Sequence, residues 1–249
     1  MTVQTVYEFL NQYCPYELAM EWDNPGLNVG RREKEVTRVL LAMDITDSVI
    51  DRAIAQNCEL IVTHHPLIFD ALRQVNGDTP TAHYVLRLAE NGIAHIACHT
   101  NLDAAEGGVN TLLAAACGME DAPLFGGIGR IADCETTLTA LTAALKERLP
   151  AATCLGVKAH EEIHRIAVVG GSGGSMLEEA MEAGCDTFVT GEAKHNHALL
   201  AIDCNINLLM LGHYETEYIA LPPLAEAMKK AFPALEVEVM PCQPPVENL

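Results

Sequence analysis

Three short strings in this 249-residue chain carry side chains that hold metal ions: His64-His65 in VTHHPLIF, Asp103 in CHTNLDA, and His213 with Glu217 in LGHYETE. Three imidazoles and two carboxylates exceed what one tetrahedral catalytic ion with an open position uses, and they suit two divalent ions sharing a carboxylate. The expected centre is therefore dinuclear. Two ions about 3.5–4 Å apart lower the pKa of a shared water and polarise the bond it attacks, which puts hydrolysis first among reaction classes. Such ligands suit Zn, Fe, Mn, Co or Ni alike.

The elements that must position these residues are strand ends. His64-His65 follows the apolar run Leu60-Ile61-Val62, which comes after a helical pattern from Asp47 to Asn57 and reads as a buried parallel strand. Adjacent strand residues point to opposite faces, so two neighbouring histidines converge only where the chain leaves the pleat, and Pro66 marks that exit. His99 and His213 likewise end the runs Ile93 to Cys98 and Leu208 to Leu211. Open α/β sheets place ligands at the carboxyl ends of parallel strands.

An internal repeat relates these strings. VLLAMDITDSVIDRAIAQNCELIVTHH (Val39 to His65) aligns without a gap on IAVVGGSGGSMLEEAMEAGCDTFVTGE (Ile166 to Glu192), each copy reading as strand, turn, amphipathic helix and strand. Further on, His99 with Asp103 corresponds to His213 with Glu217, a four-residue spacing that shares one face if helical. The implied class is α/β: two similar lobes, residues 1–125 and 126–249, facing one another across a dinuclear metal cleft.

Each residue also has a plainer role open to it. His64 and His65 could be hydrogen-bonded histidines at a strand end, but a pair there beside two further polar clusters favours metal. Asp103 could cap a helix, and Glu217 could occupy a solvated first turn. Two tempting motifs are set aside. HEEIH (His160 to His164) fits a zincin helix, yet the strand Arg165 to Val169 follows at once. Gly170-Gly171-Ser172-Gly173-Gly174 fits a nucleophile elbow, but the equivalent turn Asp44-Ile45-Thr46-Asp47 has no nucleophile, so a tight turn capping the helix is expected.

WDNPGLNVG (Trp22 to Gly30), IVTHHPLIF (Ile61 to Phe69), HTNLDAAEGGVN (His99 to Asn110), GGIGR (Gly126 to Arg130), VVGGSGG (Val168 to Gly174), TGEAKHN (Thr190 to Asn196) and GHYETE (Gly212 to Glu217) together resemble the GTP cyclohydrolase I type 2 homologue family, also called the Nif-three-like family. The motifs run in family order over nearly the whole chain. The resemblance implies that His64, His65, Asp103, His213 and Glu217 ligate two divalent ions, and that the chain forms a toroidal homohexamer with its sites toward the inner cavity. Some relatives carry an additional middle domain, for which Gly126 to His164 is too short. Taken literally, the family name implies opening of the GTP imidazole ring; phosphoester hydrolysis uses the same kind of centre. His99 is expected beside the ions, bonded to a ligand or substrate, and Glu192, counterpart of His65, is expected in a similar supporting place. Arg130 is expected to hold an anionic group or to form a surface ion pair. The alternative to an enzyme is a metal-binding or metal-delivering scaffold that recruits other proteins, because no residue outside the ligand set stands out as a general acid or base.

Composition limits the partners. A formal net charge of −19 opposes nucleic-acid binding, whereas a small-molecule substrate is compatible because bound cations reverse the local field. No apolar run reaches membrane-spanning length and the N-terminus MTVQTVYEFLNQY lacks a basic start, so a cytoplasmic protein without a membrane anchor is expected. Nine cysteines without a CxxC pair read as reduced, structural thiols. Further helices are expected over Thr5 to Tyr13, Thr79 to Asn91, Gly107 to Cys117, Glu135 to Arg148 and Leu224 to Phe232, with strands over Leu27 to Val29 and in LEVEVM.

Overall fold

The computed structural model describes residues 1–246. Along the chain come helix α1 (Val3–Tyr13), strands β1 (Gly26–Val29) and β2 (Arg38–Ala42), helix α2 (Asp47–Ala55), strand β3 (Leu60–Thr63), helix α3 (Pro80–Glu90) and strand β4 (Ala94–Ala97). Helices α4 (Thr100–Ala104) and α5 (Val109–Ala116), strands β5 (Leu124–Phe125) and β6 (Gly129–Thr137) and helix α6 (Leu138–Arg148) follow. The remainder is β7 (Leu155–Val157), β8 (Glu162–Val169), α7 (Leu177–Glu182), β9 (Thr187–Thr190), α8 (His195–Asp203), β10 (Asn207–Met210), α9 (His213–Tyr218), α10 (Leu221–Ala231) and β11 (Glu236–Val239).

These elements build a mixed α/β fold with two sheets. One has the order β1-β4-β3-β2-β11, parallel except for β1; the other has the order β5-β6-β8-β9-β10-β7, with β8, β9 and β10 parallel. Two compact units contain them: residues 1–102 with 221–241, and residues 103–220 with 242–246. The unit boundary at Leu102 differs from the lobe boundary expected from the repeat because β11 adds to β2 of the first sheet, register Val237↔Val39, while α5 packs against β6 and β8.

The central strands read as unbroken apolar runs because both their faces are covered. In the second unit Ile166 and Val168 pack with Leu113, Leu141 and Leu145, whereas the alternate residues Ala167 and Val169 pack with Phe188, Leu177 and Ala180. In the first unit Leu40 and Ile61 lie against Ile50, Ala53 and Leu88 of α2 and α3. Thr46 accepts from Val49 N at the start of α2, and Thr79 caps α3 in the same way, which sets where each helix begins.

Two expected element bounds are corrected. Glu135 to Thr137 belong to β6, and Thr137 ends that strand by accepting from Ala140 N as the cap of α6. Helix α10 begins at Leu221 and includes Pro222 and Pro223, which fit a first turn whose N–H groups have no partner inside the helix. HEEIH falls in a loop and in β8, as expected. All nine cysteines are free thiols, and burial raises Cys58 and Cys185 to about 11. Among the described residues no helix is long and apolar enough to cross a membrane.

His95 on β4 is fully buried beneath the end of β3. The Thr63 hydroxyl donates to the His65 carbonyl at 2.6 Å, which leaves its oxygen to accept from His95 Nε2 at 2.6 Å. Burial pushes this imidazole down to about 3. Between an unfolded value of about 6.5 and that folded value, the unfolded chain binds the proton and the folded chain does not. The contribution is therefore complete above about pH 6.5 and is lost as pH falls toward 3. In urea titrations of wild type and His95→Gln, the wild type should lose up to about 1.4 kcal/mol per pH unit more than the variant between pH 6 and 4. Equal slopes would contradict the neutral buried ring.

Candidate metal centre

The first unit supplies three histidines. His64 and His65 follow β3, where the chain leaves the sheet, and His99 follows β4. One ring nitrogen from each of the three lies within 4.8 Å of the others, so this group could hold a metal ion. His64 is fully buried, and its ring meets those of His65 and His99 edge-on at 4.9 and 5.2 Å.

Each of these rings is held by its Nδ1. His64 Nδ1 donates to the Cys98 carbonyl at 3.0 Å, His65 Nδ1 to Asp44 Oδ1 at 2.8 Å, and His99 Nδ1 to Asp23 Oδ1 at 2.7 Å. Every partner is an acceptor oxygen, so Nδ1 carries a proton, and in the neutral ring Nε2 then has the lone pair that a cation needs. Burial alone would raise the Asp23 carboxyl; hydrogen bonds from His99 and Thr100 outweigh it and hold the group at about 2. Asp23 thus stays an anion while it orients His99 and anchors Thr100 at the start of α4.

The second unit repeats the device. His213 and Glu217 lie four residues apart on α9 with Nε2 and Oε1 separated by 3.1 Å. Two ligands about 2.1 Å from a common ion lie ~3.0–3.4 Å apart, so this pair already has ligand spacing. His213 Nδ1 donates to Glu192 Oε1 at 3.1 Å. Glu217 is buried, 4% exposed, at the foot of the turn after β8. That turn explains the glycine run better than capping does, because Ser172 makes no side-chain cap bond. A Cβ on Gly171, whose φ is +58°, would fall 2.0 Å from Glu217 Oε1 and 3.4 Å from His213 Nε2. Glycine there keeps the space around these two atoms clear. A cavity of about 870 Å³ opens beside His213 in the same unit, with Glu192, Tyr214, Glu215, Met210 and the segment Cys242 to Val246 in its wall.

Asp103 is buried on α4 and opens the second unit. Arg130, expected to bind an anion or to form a surface pair, is instead 1% exposed. Its guanidinium donates to the carbonyls of Ala104 and Gly129, at 2.7 and 3.1 Å, and to Thr111 Oγ1 at 3.1 Å. It therefore fixes the C-terminal end of the helix that carries Asp103, and its ion pair with Glu106 is incidental, that carboxylate being 87% exposed. Asn110 ties the same region to the glycine turn, accepting from Gly170 N at 2.7 Å and donating to the Ile128 carbonyl.

Asp23 and Asp44 were not singled out in the sequence. Asp44 had a signal, since it stands just past the strand LLAM that runs parallel to the strand before His64. Asp23 had only its place in WDNPGLNVG.

Arg130→Met removes the fork from buried carbonyls and should lower unfolding stability by about 3 kcal/mol, with reduced metal content. Glu106→Ala should cost less than about 1 kcal/mol and leave metal unchanged. Urea unfolding and elemental analysis of both variants check this, and equal effects would return Arg130 to a surface role.

Comparison with known proteins follows the same lines. A protein called GTP cyclohydrolase 1 type 2 homolog from Clostridium acetobutylicum is 30% identical over 244 residues, covering 93% of this chain and 91% of its own. One called GTP cyclohydrolase 1 type 2 from Helicobacter pylori is 32% identical over 216 residues, covering 86% of each. The solved structure of reduced HcgD from Methanocaldococcus jannaschii superposes with a TM-score of 0.88 at 27% identity, covering 97% of this chain and 98% of that one. The model of the family described as Duf34/NIF3 (NGG1p interacting factor 3) matches residues 1–245, and the chain belongs to that family.

Proposed function

We propose that this protein is a metal-dependent hydrolase in which His64, His65, Asp103, His213 and Glu217 hold two divalent ions. The observation that carries the reading is the Nδ1 anchoring of His64, His65 and His213 on oxygen acceptors, which presents Nε2 as the ligand atom in every case. A histidine placed for packing has no need of one shared tautomer. Gly171 adds a second support, since its missing Cβ leaves the room that Glu217 and His213 would need around an ion.

When bound, the ions supply Lewis acidity and a water of lowered pKa. The chain's own residues hold the protons: Asp44, Glu192 and the Cys98 carbonyl keep the imidazole protons on Nδ1, and Asp23 does so for His99, the neighbour of the ligand pair. The cavity beside His213 has the size of a small-molecule site and, among the described residues, no lysine or arginine in its wall, so an anionic part of a substrate would be held there by the ions alone. The relatives' names point to GTP and to opening of its ring, and phosphoester hydrolysis is a second reaction that the same kind of centre performs.

The reading of the fold as two copies is supported by strand register. Val39 pairs with Leu60 and Ala42 with Thr63; their repeat equivalents pair in the same way, Ile166 with Thr187 and Val169 with Thr190. In each copy a ligand-bearing segment then follows the next parallel strand, β4 or β10.

Purified protein should carry about two divalent ions per chain. Elemental analysis of His65→Ala and Glu217→Ala should find at least one ion lost with circular dichroism unchanged, and hydrolysis of nucleotides or phosphoesters should fall at least 100-fold. Unchanged metal content in both variants would remove the site; metal loss with no turnover from any form would leave a metal-carrying scaffold. The family resemblance also leads us to propose a toroidal homohexamer. Light scattering should then give about six times the 26.9 kDa chain mass, and a monomer across a wide concentration range would contradict it.

A further inference from the structure

The histidine group of the first unit has aromatic neighbours that the metal reading does not use. Trp22 and Phe69 are 59% and 49% exposed, yet they touch: their ring centroids are 5.9 Å apart at 53°. Both stand edge-on to His99, at 6.1 and 6.3 Å, and the His99 ring lies 5.2 and 5.5 Å from those of His64 and His65. His99 thus joins the open aromatic pair to the ligand histidines.

The backbone under these rings is braced. The residue after Trp22 is Asp23, whose fully buried carboxylate is bonded to His99 and to the Thr100 amide. Beside Phe69, the Ile68 amide donates to Asn28 Oδ1 at 3.2 Å, and the Ile68 carbonyl accepts from Asn24 Nδ2 at 2.6 Å. The segments carrying the two aromatics are therefore tied to each other and to the start of α4. A lone exposed aromatic on a protein surface calls for no explanation. Two in contact, on braced loops and edge-on to a ring of the metal-binding group, form a fixed π surface, and holding them there before binding avoids an ordering cost at the moment of binding.

We infer that Trp22 and Phe69 are the stacking platform for a planar heteroaromatic ring of the molecule on which the centre acts. The inference rests on the hydrolase reading above and narrows it. Because His99 is shared, a ring resting on the pair lies beside the histidines, so the bond acted on belongs to the ring or to a group attached close to it. Stacking on aromatic faces tolerates any base, since every base has a π face. Two side chains fall far short of the roughly 800 Å² per partner of a stable protein interface, so a second copy of the chain is the lesser candidate.

Trp22 is the only tryptophan in the chain, so its emission reports on the platform directly. The metal-loaded protein should be titrated with guanosine, adenosine and nicotinamide mononucleotides, and with ribose 5-phosphate as the ringless control. The expected result is saturable quenching by at least one of the ring-bearing probes and none by ribose 5-phosphate. Phe69→Ala should weaken that binding roughly tenfold and Phe69→Tyr should restore it, with melting temperature unchanged in both. Equal quenching by ribose 5-phosphate, no quenching by any of the three, or an emission maximum that shifts with protein concentration alone, as burial by a second copy would cause, overturns the platform. Ring-dependent quenching without turnover leaves the platform standing and removes the hydrolase. Turnover that survives Trp22→Ala and Phe69→Ala unchanged removes the platform and leaves the hydrolase.

Discussion

An imidazole can bind a cation only through a lone pair, so a protein that uses histidine for this purpose must settle which nitrogen keeps the proton. In this chain oxygen acceptors settle the matter for the histidines of the candidate centre. A backbone carbonyl holds His64, and carboxylates hold His65, His99 and His213, always at Nδ1. Asp23 does this without being neutralised. Hydrogen bonds from His99 and Thr100 outweigh the burial that would otherwise raise its pKa.

Strand ends provide the geometry this requires. Parallel strands β3 and β4 end side by side, so the Cys98 carbonyl just past one strand reaches His64 just past the other. Departure from the pleat after Thr63 lets two consecutive histidines share one group, and Thr63 itself fixes the His65 carbonyl over the neutral His95 ring. In the second unit the same position after a parallel strand begins α9, whose i,i+4 spacing gives His213 and Glu217 a common face. Glycine at position 171 then clears the volume around them.

Much of this was legible in the sequence because the chemistry and the punctuation coincide. The buried strands announce themselves as runs such as LIV and NLLM, since both faces are covered, and the histidines stand where those runs stop. Other features leave no local mark. Arg130 binds carbonyls of Ala104 and Gly129, acceptors that every residue has, so nothing in GGIGR tells a buried clamp from a surface charge. The strand Glu236–Val239 was readable as a strand, but its place beside β2, nearly 200 residues earlier, depends on register that alternating glutamates and valines do not specify. Helical propensity in LTALTAALKER also ran backwards over Glu135 to Thr137, where pairing with β8 and the Thr137 cap prevail.

On the proposed reading, metal is bound through Nε2 of rings whose Nδ1 protons are already committed. Anomalous diffraction from crystals of the zinc-loaded protein, recorded on both sides of the zinc edge, tests it most directly. Two anomalous peaks per chain are expected, with His64, His65 and His213 ligating through Nε2 at about 2.0–2.1 Å and with Asp103 and Glu217 completing the shells. Ligation through Nδ1, with the Asp44 and Glu192 hydrogen bonds broken, or no anomalous density near these residues, would contradict it.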